Sequence, residues 1–278
     1  MKLYIRSPLE VCHYNIYSKK IHKDIRLAVL ADLHNCMCED NGDRLFHVIE
    51  DEKPDLIVIA GDLYGGSYGD DPSKVSDLLV RLCEAYPLIY GMGNHERKTI
   101  DKKERIIRSG LNEFRSQRLE MKRGLKRAGI RILSNTSRIL EEENIKITGL
   151  DLPSSYFRHF RYIPLEKGKV ERLIGRLDER YYNILIAHDP SHFGDYSDYG
   201  SDLILSGHLH GGVVRLPYLG GVISPNGTIF PKYDAGKFVR KKSTMLVSKG
   251  LGMHTIHVRV NDPTELMIVD LWKDTDDE

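Results

Sequence analysis

The sequence lacks the features that mark membrane proteins and secreted proteins. It has no run of about 18 apolar residues, the length that a membrane-spanning helix needs. The first twenty residues carry polar groups every few positions and contain no apolar signal-peptide core, so we expect no export signal. Both absences predict a cytoplasmic protein.

Cysteine is scarce, and neither sign of charge dominates. Four cysteines among 278 residues are too few for a disulfide framework, which also favours the reducing cytoplasm. Cys36 and Cys38 lack a second pair that would complete a zinc site, so we interpret both as ordinary thiols. The net charge is +1, and no basic groove with interleaved aromatic residues is visible. The sequence therefore predicts no stable binding of nucleic acid.

Apolar runs typical of buried strands alternate with helical patterns along much of the chain, which implies an α/β layered fold. The predicted strands are residues 25–30, 55–60, 88–90, 130–133, 183–187 and 201–206, and the predicted helices are residues 42–52, 72–85 and 166–180. Residues 9–16 precede the first buried strand as a hairpin partner or an edge strand. Residues 138–142 and 145–150 predict a hairpin, and residues 253–260 and 264–272 a closing pair of strands. No linker or repeat is visible, so we expect one domain over residues 1–278.

Residues 97–131 form a basic segment with thirteen Lys and Arg and four Asp and Glu. Its apolar residues have helical spacing, with glycines as breaks. One interpretation is a solvated helix pair. The other is a helical insertion that acts as a lid, or as a peripheral docking surface for an anionic substrate or a phospholipid membrane.

Each of five predicted strands is followed by a side chain that can bind a metal. These residues are Asp32, His34, Asp62, Asn94, His188, His208 and His210, with His95 directly after Asn94. In α/β folds such groups meet on the loops at the carboxyl ends of the strands. The mixture of imidazole, carboxylate and amide ligands suits manganese, iron or zinc. The set is too large for one tetrahedral ion but sufficient for two ions that share a carboxylate.

In order and spacing, these motifs resemble those of the calcineurin-like metallophosphoesterases. The resemblance extends from about residue 24 to residue 215 and is carried by Asp32-x-His34, Gly61-Asp62, Gly93-Asn94-His95-Glu96, His188 and Gly207-His208-x-His210. Details such as Gly250-Leu251-Gly252 resemble the bacterial YkuE/YaeI-like branch. Val213 departs from that branch, which often has glutamine after the paired glycines.

The resemblance implies a four-layer αββα sandwich of two mixed β-sheets flanked by helices, with the metal site on loops at the C-terminal ends of the strands. It also implies two divalent metal ions, with manganese favoured. By the same resemblance, the first ion is bound by Asp32, His34 and His210, the second by Asn94, His188 and His208, and Asp62 bridges them. His95 is expected to contact the phosphate, where it stabilises charge or protonates the leaving oxygen. Glu96 or Asp189 is expected to orient a histidine.

The implied activity is a dinuclear-metal-dependent phosphoesterase. It would hydrolyse phosphate esters, with phosphodiesters favoured, by in-line attack of a metal-bridging hydroxide. Small phosphoesters and lipid-linked or nucleotide diphosphates are the expected substrates. A phosphomonoesterase or protein phosphatase and a non-catalytic scaffold on the same fold are the alternatives. The complete ligand set argues against the scaffold. The oligomeric state stays open.

Overall fold

The computed structural model describes residues 3–4, 8–35, 40–65, 71–101, 111–157, 162–212, 214–216, 219–223, 227–252 and 259–275. Within these ranges no helix has the length and apolar character needed to cross a membrane. Cys36, Cys38 and Val213, about which the sequence made predictions, lie outside the described residues.

Helices and strands alternate through the first two thirds of the chain, and strands dominate the last third. The helices are α1 (Asp43–Glu52), α2 (Pro72–Ala85), α3 (Asn94–Asp101), α4 (Leu111–Arg127), α5 (Lys169–Ile174) and α6 (Phe193–Tyr199). The strands are β1 (Leu3–Tyr4), β2 (Leu9–Ser18), β3 (Ile25–Leu30), β4 (Leu56–Ile59), β5 (Leu88–Tyr90), β6 (Thr136–Leu140), β7 (Ile145–Gly149), β8 (Tyr182–Ile186), β9 (Leu203–Ser206), β10 (Val214–Leu216), β11 (Gly220–Ile223), β12 (Gly236–Arg240), β13 (Ser243–Val247), β14 (Arg259–Val260) and β15 (Thr264–Lys273).

Two mixed sheets form the centre of the molecule. The five-stranded sheet has the order β2-β15-β3-β4-β5, and the six-stranded sheet has the order β12-β13-β9-β8-β7-β6. Strands β3, β4 and β5 run parallel in the first sheet, and β7, β8, β9 and β13 run parallel in the second. The carboxyl ends of β3, β4, β5, β8 and β9 carry the predicted ligands.

The layers follow from the alternation of side chains along these strands. Leu27 and Val29 of β3 pack in a core between the two sheets, together with Ile184 of β8. Ala28 and Leu30, on the opposite face of β3, pack in a second core with side chains of α1, α2 and α4. A third core lies between the six-stranded sheet and helices α5 and α6. The order of layers is helices, sheet, sheet, helices, which confirms the predicted αββα sandwich.

A third, four-stranded sheet was not predicted. Its order is β1-β14-β10-β11, and it combines strands from both ends of the described chain. Of the predicted closing pair, residues 253–258 lie outside the described residues. The described remainder of that strand, β14, does not have the predicted partner, because it pairs in this third sheet whereas β15 lies between β2 and β3. For the same reason β2 is an edge strand and not the hairpin partner of β3.

Two other predicted elements differ from the structure. Residues 130–133 do not form a strand, since only Leu133 makes a bridge, to Gly91. The helix predicted over residues 166–180 is limited to α5, because Gly175 follows it with a φ of 80° that ends the helix. By contrast, the predicted helix over residues 72–85 and the hairpin of β6 and β7 are confirmed.

The described parts of the basic segment 97–131 are helical. Helix α4 packs against α2, with Met121 fully buried in the core beneath and a close approach of Gly124 to Ser76 and Tyr64. Lys122, a residue of the same helix, is exposed. Helix α4 is therefore part of the outer helical layer, with a basic face turned to solvent.

Candidate metal centre

The predicted metal ligands come together in one buried site. Three overlapping groups have their ligand atoms within 4.8 Å of one another: Asp32, His34 and His210; His34, Asp62 and His95; and Asp62, His188 and His208. Asn94 also reaches this site, through contacts with Asp62 and His208. All seven predicted ligands therefore lie together, and His34 and Asp62 connect the groups.

Asp32, His34 and His210 form the first half of the site. The Nε2 atoms of His34 and His210 are 2.9 Å apart, and Asp32 Oδ1 lies 3.7 Å from the first and 3.6 Å from the second. All three residues are buried. Asp32 also accepts the backbone N–H of His208, at 3.0 and 2.9 Å to its two oxygens, and so holds the loop that carries His210.

Asp62 lies between the two halves. Its Oδ2 is 3.0 Å from His188 Nε2, in the second half, and 3.9 Å from His34 Nε2, in the first. The Nδ1 atom of His188 is 2.7 Å from the carbonyl oxygen of Ala60, which directs Nε2 of the same ring towards Asp62. A carboxylate in this position can contribute a ligand atom to both halves of the site.

The side-chain amide of Asn94 tests whether the donor set fits a cation. One terminal atom lies 3.1 Å from Asp62 Oδ2 and 2.7 Å from His208 Nδ1, and the other lies 3.3 Å from Lys98 Nζ. With nitrogen in the first position, the amide forms hydrogen bonds without any metal. With oxygen there, three acceptors converge, and a cation between them would stabilise the arrangement. The donor set therefore fits divalent metals.

The ligand loops adopt backbone conformations that side chains other than glycine rarely take. Thirteen non-glycine residues of the described chain have positive φ, and five of them are predicted ligands. Those five are Asp32, His34, Asp62, His208 and His210, with φ between 49° and 74°. Such a conformation costs about 1–2 kcal/mol per residue, and strain of this kind clusters at functional sites.

A buried glutamate supports the loop that carries Asp62. Glu96 accepts the backbone N–H groups of Asp62 at 2.9 Å and of Tyr64 at 3.0 Å, and the Tyr90 hydroxyl donates to it at 2.6 Å. Burial and the nearby charge of Asp62 raise the pKa of Glu96 to about 7. Glu96 thus accepts hydrogen bonds from the backbone and does not orient a histidine.

The prediction that Glu96 or Asp189 orients a histidine stays a prediction for Asp189, whose Oδ2 lies 3.9 Å from His192 Nε2, but neither residue orients His188. The carbonyl of Ala60 occupies the position beside its Nδ1. Asp189 instead accepts the backbone N–H of Ser191 at 2.9 Å and caps the short helix that follows. A side chain competes poorly with a strand-end carbonyl that the fold already places there.

The carboxylates control the protonation of the metal-free site. Burial disfavours a charged imidazole, but the charges of Asp62 and Asp32 raise the pKa of His188 to about 10. The pKa of Asp62 is lowered, because His188 and its neighbours outweigh the opposing effect of burial. A metal ion bound by His188 would therefore have to displace a proton from its ring.

His95 lies at the rim of the site and is half-buried. Its backbone N–H donates to Asp62 Oδ1 at 2.7 Å, and its ring packs edge-on to His34 with centroids 4.7 Å apart. This position fits a group that faces the substrate. It also lies within reach of a ligand position, so the assigned role of His95 stays a prediction.

Sequence reasoning missed a buried arginine behind the first half of the site. Arg259 Nη2 lies 3.5 Å from His210 Nδ1, and its Nη1 donates to Asp262 Oδ2 at 3.0 Å. It also donates to the carbonyls of Gly250 and Gly252. Local sequence gives no signal for the place of Arg259 behind the site, because its contact with His210 joins residues 49 positions apart. The Gly250-Leu251-Gly252 motif was noticed, but its arginine partner was not.

Comparison with known proteins assigns the family. A family model described as calcineurin-like phosphoesterase matches residues 25–212, more than half of the chain. The chain belongs to the calcineurin-like phosphoesterase family. Membership supports a metal-dependent hydrolase of phosphoesters and confirms the resemblance seen in the sequence motifs.

The relatives of this family member are bacterial. The uncharacterized metallophosphoesterase Cj0846 of Campylobacter jejuni is 29% identical over 94% of this chain, and the chain spans only 63% of that protein's length. The uncharacterized metallophosphoesterase YkuE of Bacillus subtilis is 28% identical over 80% of this chain and 70% of its own length. The phosphodiesterase YaeI of Escherichia coli is 25% identical over 80% and 72%, respectively. The predicted YkuE/YaeI-like branch is confirmed.

A solved structure in the same comparison is the phosphoesterase Yfce of Escherichia coli. It aligns with 83% of this chain and 82% of its own chain, at 11% identity and a TM-score of 0.37. A similarity this low has no bearing on substrate or mechanism.

Proposed function

We propose that this family member is a phosphodiesterase that uses two divalent cations, with manganese favoured. The observation that carries the proposal is the place of Asp62, whose Oδ2 lies 3.0 Å from His188 Nε2 and 3.9 Å from His34 Nε2. A carboxylate between two sets of donors is the arrangement that two ions about 3.5–4 Å apart require.

We divide the ligands between the two halves of the site as the family resemblance implies. Asp32, His34 and His210 would hold one cation, and Asn94, His188 and His208 would hold the other, with Asp62 shared. Two divalent cations bound here would lower the pKa of water to near neutrality and offset charge on the phosphoryl oxygens. The reaction breaks one P–O ester bond and forms a P–O bond to the oxygen of water.

The remaining step is protonation of the leaving oxygen, which we assign to His95. Its ring lies beside His34, and Asp62 holds its backbone through a 2.7 Å hydrogen bond. An imidazole at the rim can donate a proton to the departing alkoxide or hydrogen-bond to the phosphoryl group, a contribution of about 100- to 10,000-fold in rate. The proposed substrates are small phosphodiesters and nucleotide or lipid-linked diphosphates. The proposed location is a reducing cytoplasm.

The experiment compares turnover of bis-p-nitrophenyl phosphate and p-nitrophenyl phosphate with added Mn²⁺. Wild type should hydrolyse the diester faster than the monoester. Asp62→Ala should lose both turnover and bound metal, whereas Asp51→Ala, at an exposed position of α1, should keep both. Faster turnover of the monoester would show that the protein is a phosphomonoesterase and not a phosphodiesterase. Full turnover in Asp62→Ala would overturn the two-cation site, and absence of both turnover and metal in wild type would favour the scaffold.

A further inference from the structure

A projecting apolar ribbon extends from the metal-site loop. It consists of β10, residues 219–223, which include β11, and residues 227–230. Its large exposed side chains are Leu216, Leu219, Ile223, Ile229 and Phe230. These are five of the ten exposed large hydrophobic residues in the described chain. Leu219 and Ile229 are 65% and 68% exposed. A concentration of apolar side chains of this kind marks an interaction surface, whereas single exposed apolar residues need no explanation.

The exposure follows from how the ribbon is built. Strands β10 and β11 pair antiparallel, and the chain returns beside β11 through the bridge between Ile223 and Ile229 and the hydrogen bond from Phe230 N–H to the Val222 carbonyl at 2.8 Å. The five apolar side chains take no part in the three cores of the described structure. The backbone of the ribbon thus pairs within the ribbon and with β14, while its five large apolar side chains stay exposed.

The ribbon is fixed closely to the metal site. Strand β10 begins two residues after Gly212, and a Cβ on Gly212 would lie 2.6 Å from the Cα of Gly221 in β11. Arg215 of β10 donates to the Gly211 carbonyl at 2.9 Å, one residue after the ligand His210. A partner bound to the ribbon is therefore held at a defined position relative to the site.

The charges near the ribbon indicate an anionic partner. Between positions 211 and 262 the sequence has eight Lys and Arg and two acidic residues. Asp262 pairs with Arg259, and the other acidic residue is Asp234. Arg215 pairs with it at 2.9 Å, and the Gly221 backbone N–H donates to it at 2.7 Å. Lys232, two residues after Phe230, is exposed, with its ammonium group 5.1 Å from the centre of the Tyr233 ring. Apolar side chains beside lysine and aromatic groups match the interface of an anionic bilayer.

We propose that the apolar ribbon docks the protein on an anionic phospholipid bilayer. Leu219, Ile229 and Phe230 would enter the boundary between headgroups and acyl chains, while Lys232 would remain with the phosphates. The docked site would then act on phosphoesters held in the membrane, a consequence that rests on the proposed function. The docking itself does not depend on that function.

The test is co-sedimentation of the metal-loaded full chain with vesicles of phosphatidylcholine alone, or of phosphatidylcholine with phosphatidylglycerol. Wild type should bind the anionic vesicles. The double variant Leu219→Ser with Phe230→Ser should bind them about 100-fold more weakly, since removal of each large apolar side chain costs about tenfold. Lys232→Gln should weaken binding about fivefold, and only to the anionic vesicles.

The matched control replaces exposed apolar residues on remote strands, Tyr17→Ser in β2 and Ile139→Ser in β6. It should bind vesicles as wild type does. Equal binding by the ribbon variant and this control would overturn the proposal. So would ribbon-dependent dimers in light scattering without vesicle binding, which would assign the ribbon to a second copy of the chain.

Turnover of bis-p-nitrophenyl phosphate without vesicles should be the same in wild type, ribbon variant and control. This measurement separates the two proposals. Vesicle binding that depends on the ribbon in a protein without turnover would support docking and overturn the phosphodiesterase, and turnover without vesicle binding would do the reverse.

Discussion

Glu96 Oε2 accepts the backbone N–H of Asp62 at 2.9 Å, and so a residue of α3 fixes the loop that carries the shared carboxylate. The other oxygen of Glu96 accepts from Tyr64 N–H and from the Tyr90 hydroxyl. All the contacts of this carboxylate are donors, and none is a predicted metal-binding atom. Glu96 therefore acts on the metal through the position of Asp62.

Glu96→Gln should weaken metal binding about 10- to 100-fold, the usual effect of removing a group that supports a ligand. The glutamine replaces one carboxylate oxygen by an NH2 donor. That donor would face a backbone N–H group that now donates to Glu96. Metal affinity is measured by competition with a chromophoric chelator. Glu84→Gln, an exposed change in α2, is the control and should leave the affinity unchanged. An unchanged affinity in Glu96→Gln would show that the loop does not need this support.

Gly93→Ala should remove bound metal and destabilise the fold. A Cβ at this position would lie 2.2 Å from both the backbone nitrogen and Oδ1 of Asp62, and 2.6 Å from Glu96 Oε2. The clash must displace the shared carboxylate, and overpacking of this kind costs about 1–3 kcal/mol of unfolding free energy. Urea unfolding and metal analysis measure the two effects.

The control for this change is Gly194→Ala in α6. A Cβ there would have no atom within 4 Å. Because alanine favours the helix over glycine, we expect full metal content and a gain of about 0.5–1 kcal/mol in stability. Normal metal content in Gly93→Ala would contradict the assigned position of Asp62.

His95→Ala should keep both metals and lower kcat about 100- to 10,000-fold on bis-p-nitrophenyl phosphate. The reason is that the imidazole is assigned to the leaving oxygen and not to a cation. His47→Ala, at an exposed position of α1, serves as the control and should leave kcat unchanged. Loss of metal from His95→Ala would make His95 a ligand, which its place in the group with His34 and Asp62 permits.

Metal binding at neutral pH should release a proton from His188. The charges of Asp62 and Asp32 overcome the effect of burial and raise the pKa of His188 to about 10, so the metal-free ring is charged at pH 7. Only a neutral imidazole binds metal. Calorimetry in two buffers with different enthalpies of ionisation should therefore give different apparent enthalpies. Equal enthalpies in the two buffers would show that no proton is released.

The raised pKa of His188 also predicts how the stability of the chelator-treated protein depends on pH. The folded-state pKa of His188 lies above its ordinary value of 6.5. Its contribution to stability is therefore fully present below pH 6.5 and is lost as the pH rises through about 10. Urea unfolding across that pH range should show the loss of stability, and excess Mn²⁺ should make this loss smaller. A flat profile without metal would contradict the raised pKa.

Local patterns determined the elements that carry the ligands. The apolar runs before Asp32, Asp62, His188 and His208 predicted strands that the structure confirms. The reason is physical, because a strand buried on both faces needs a continuous apolar run and leaves its polar residues to the loop after it. The motif order also assigned the family. One domain over the whole chain and the roles of the individual ligands stay predictions.

Only the tertiary structure decided which strands lie side by side and what supports the ligands. Strand β15 separates β2 from β3, and β14 joins a third sheet, because pairing depends on contacts between residues more than 200 positions apart. The contacts of Arg259 with His210 and of the Ala60 carbonyl with His188 are also long-range, across 49 and 128 positions. Sequence alone therefore determined which candidate metal-binding groups are present and their order, and long-range packing decided their geometry and the apolar ribbon beside them.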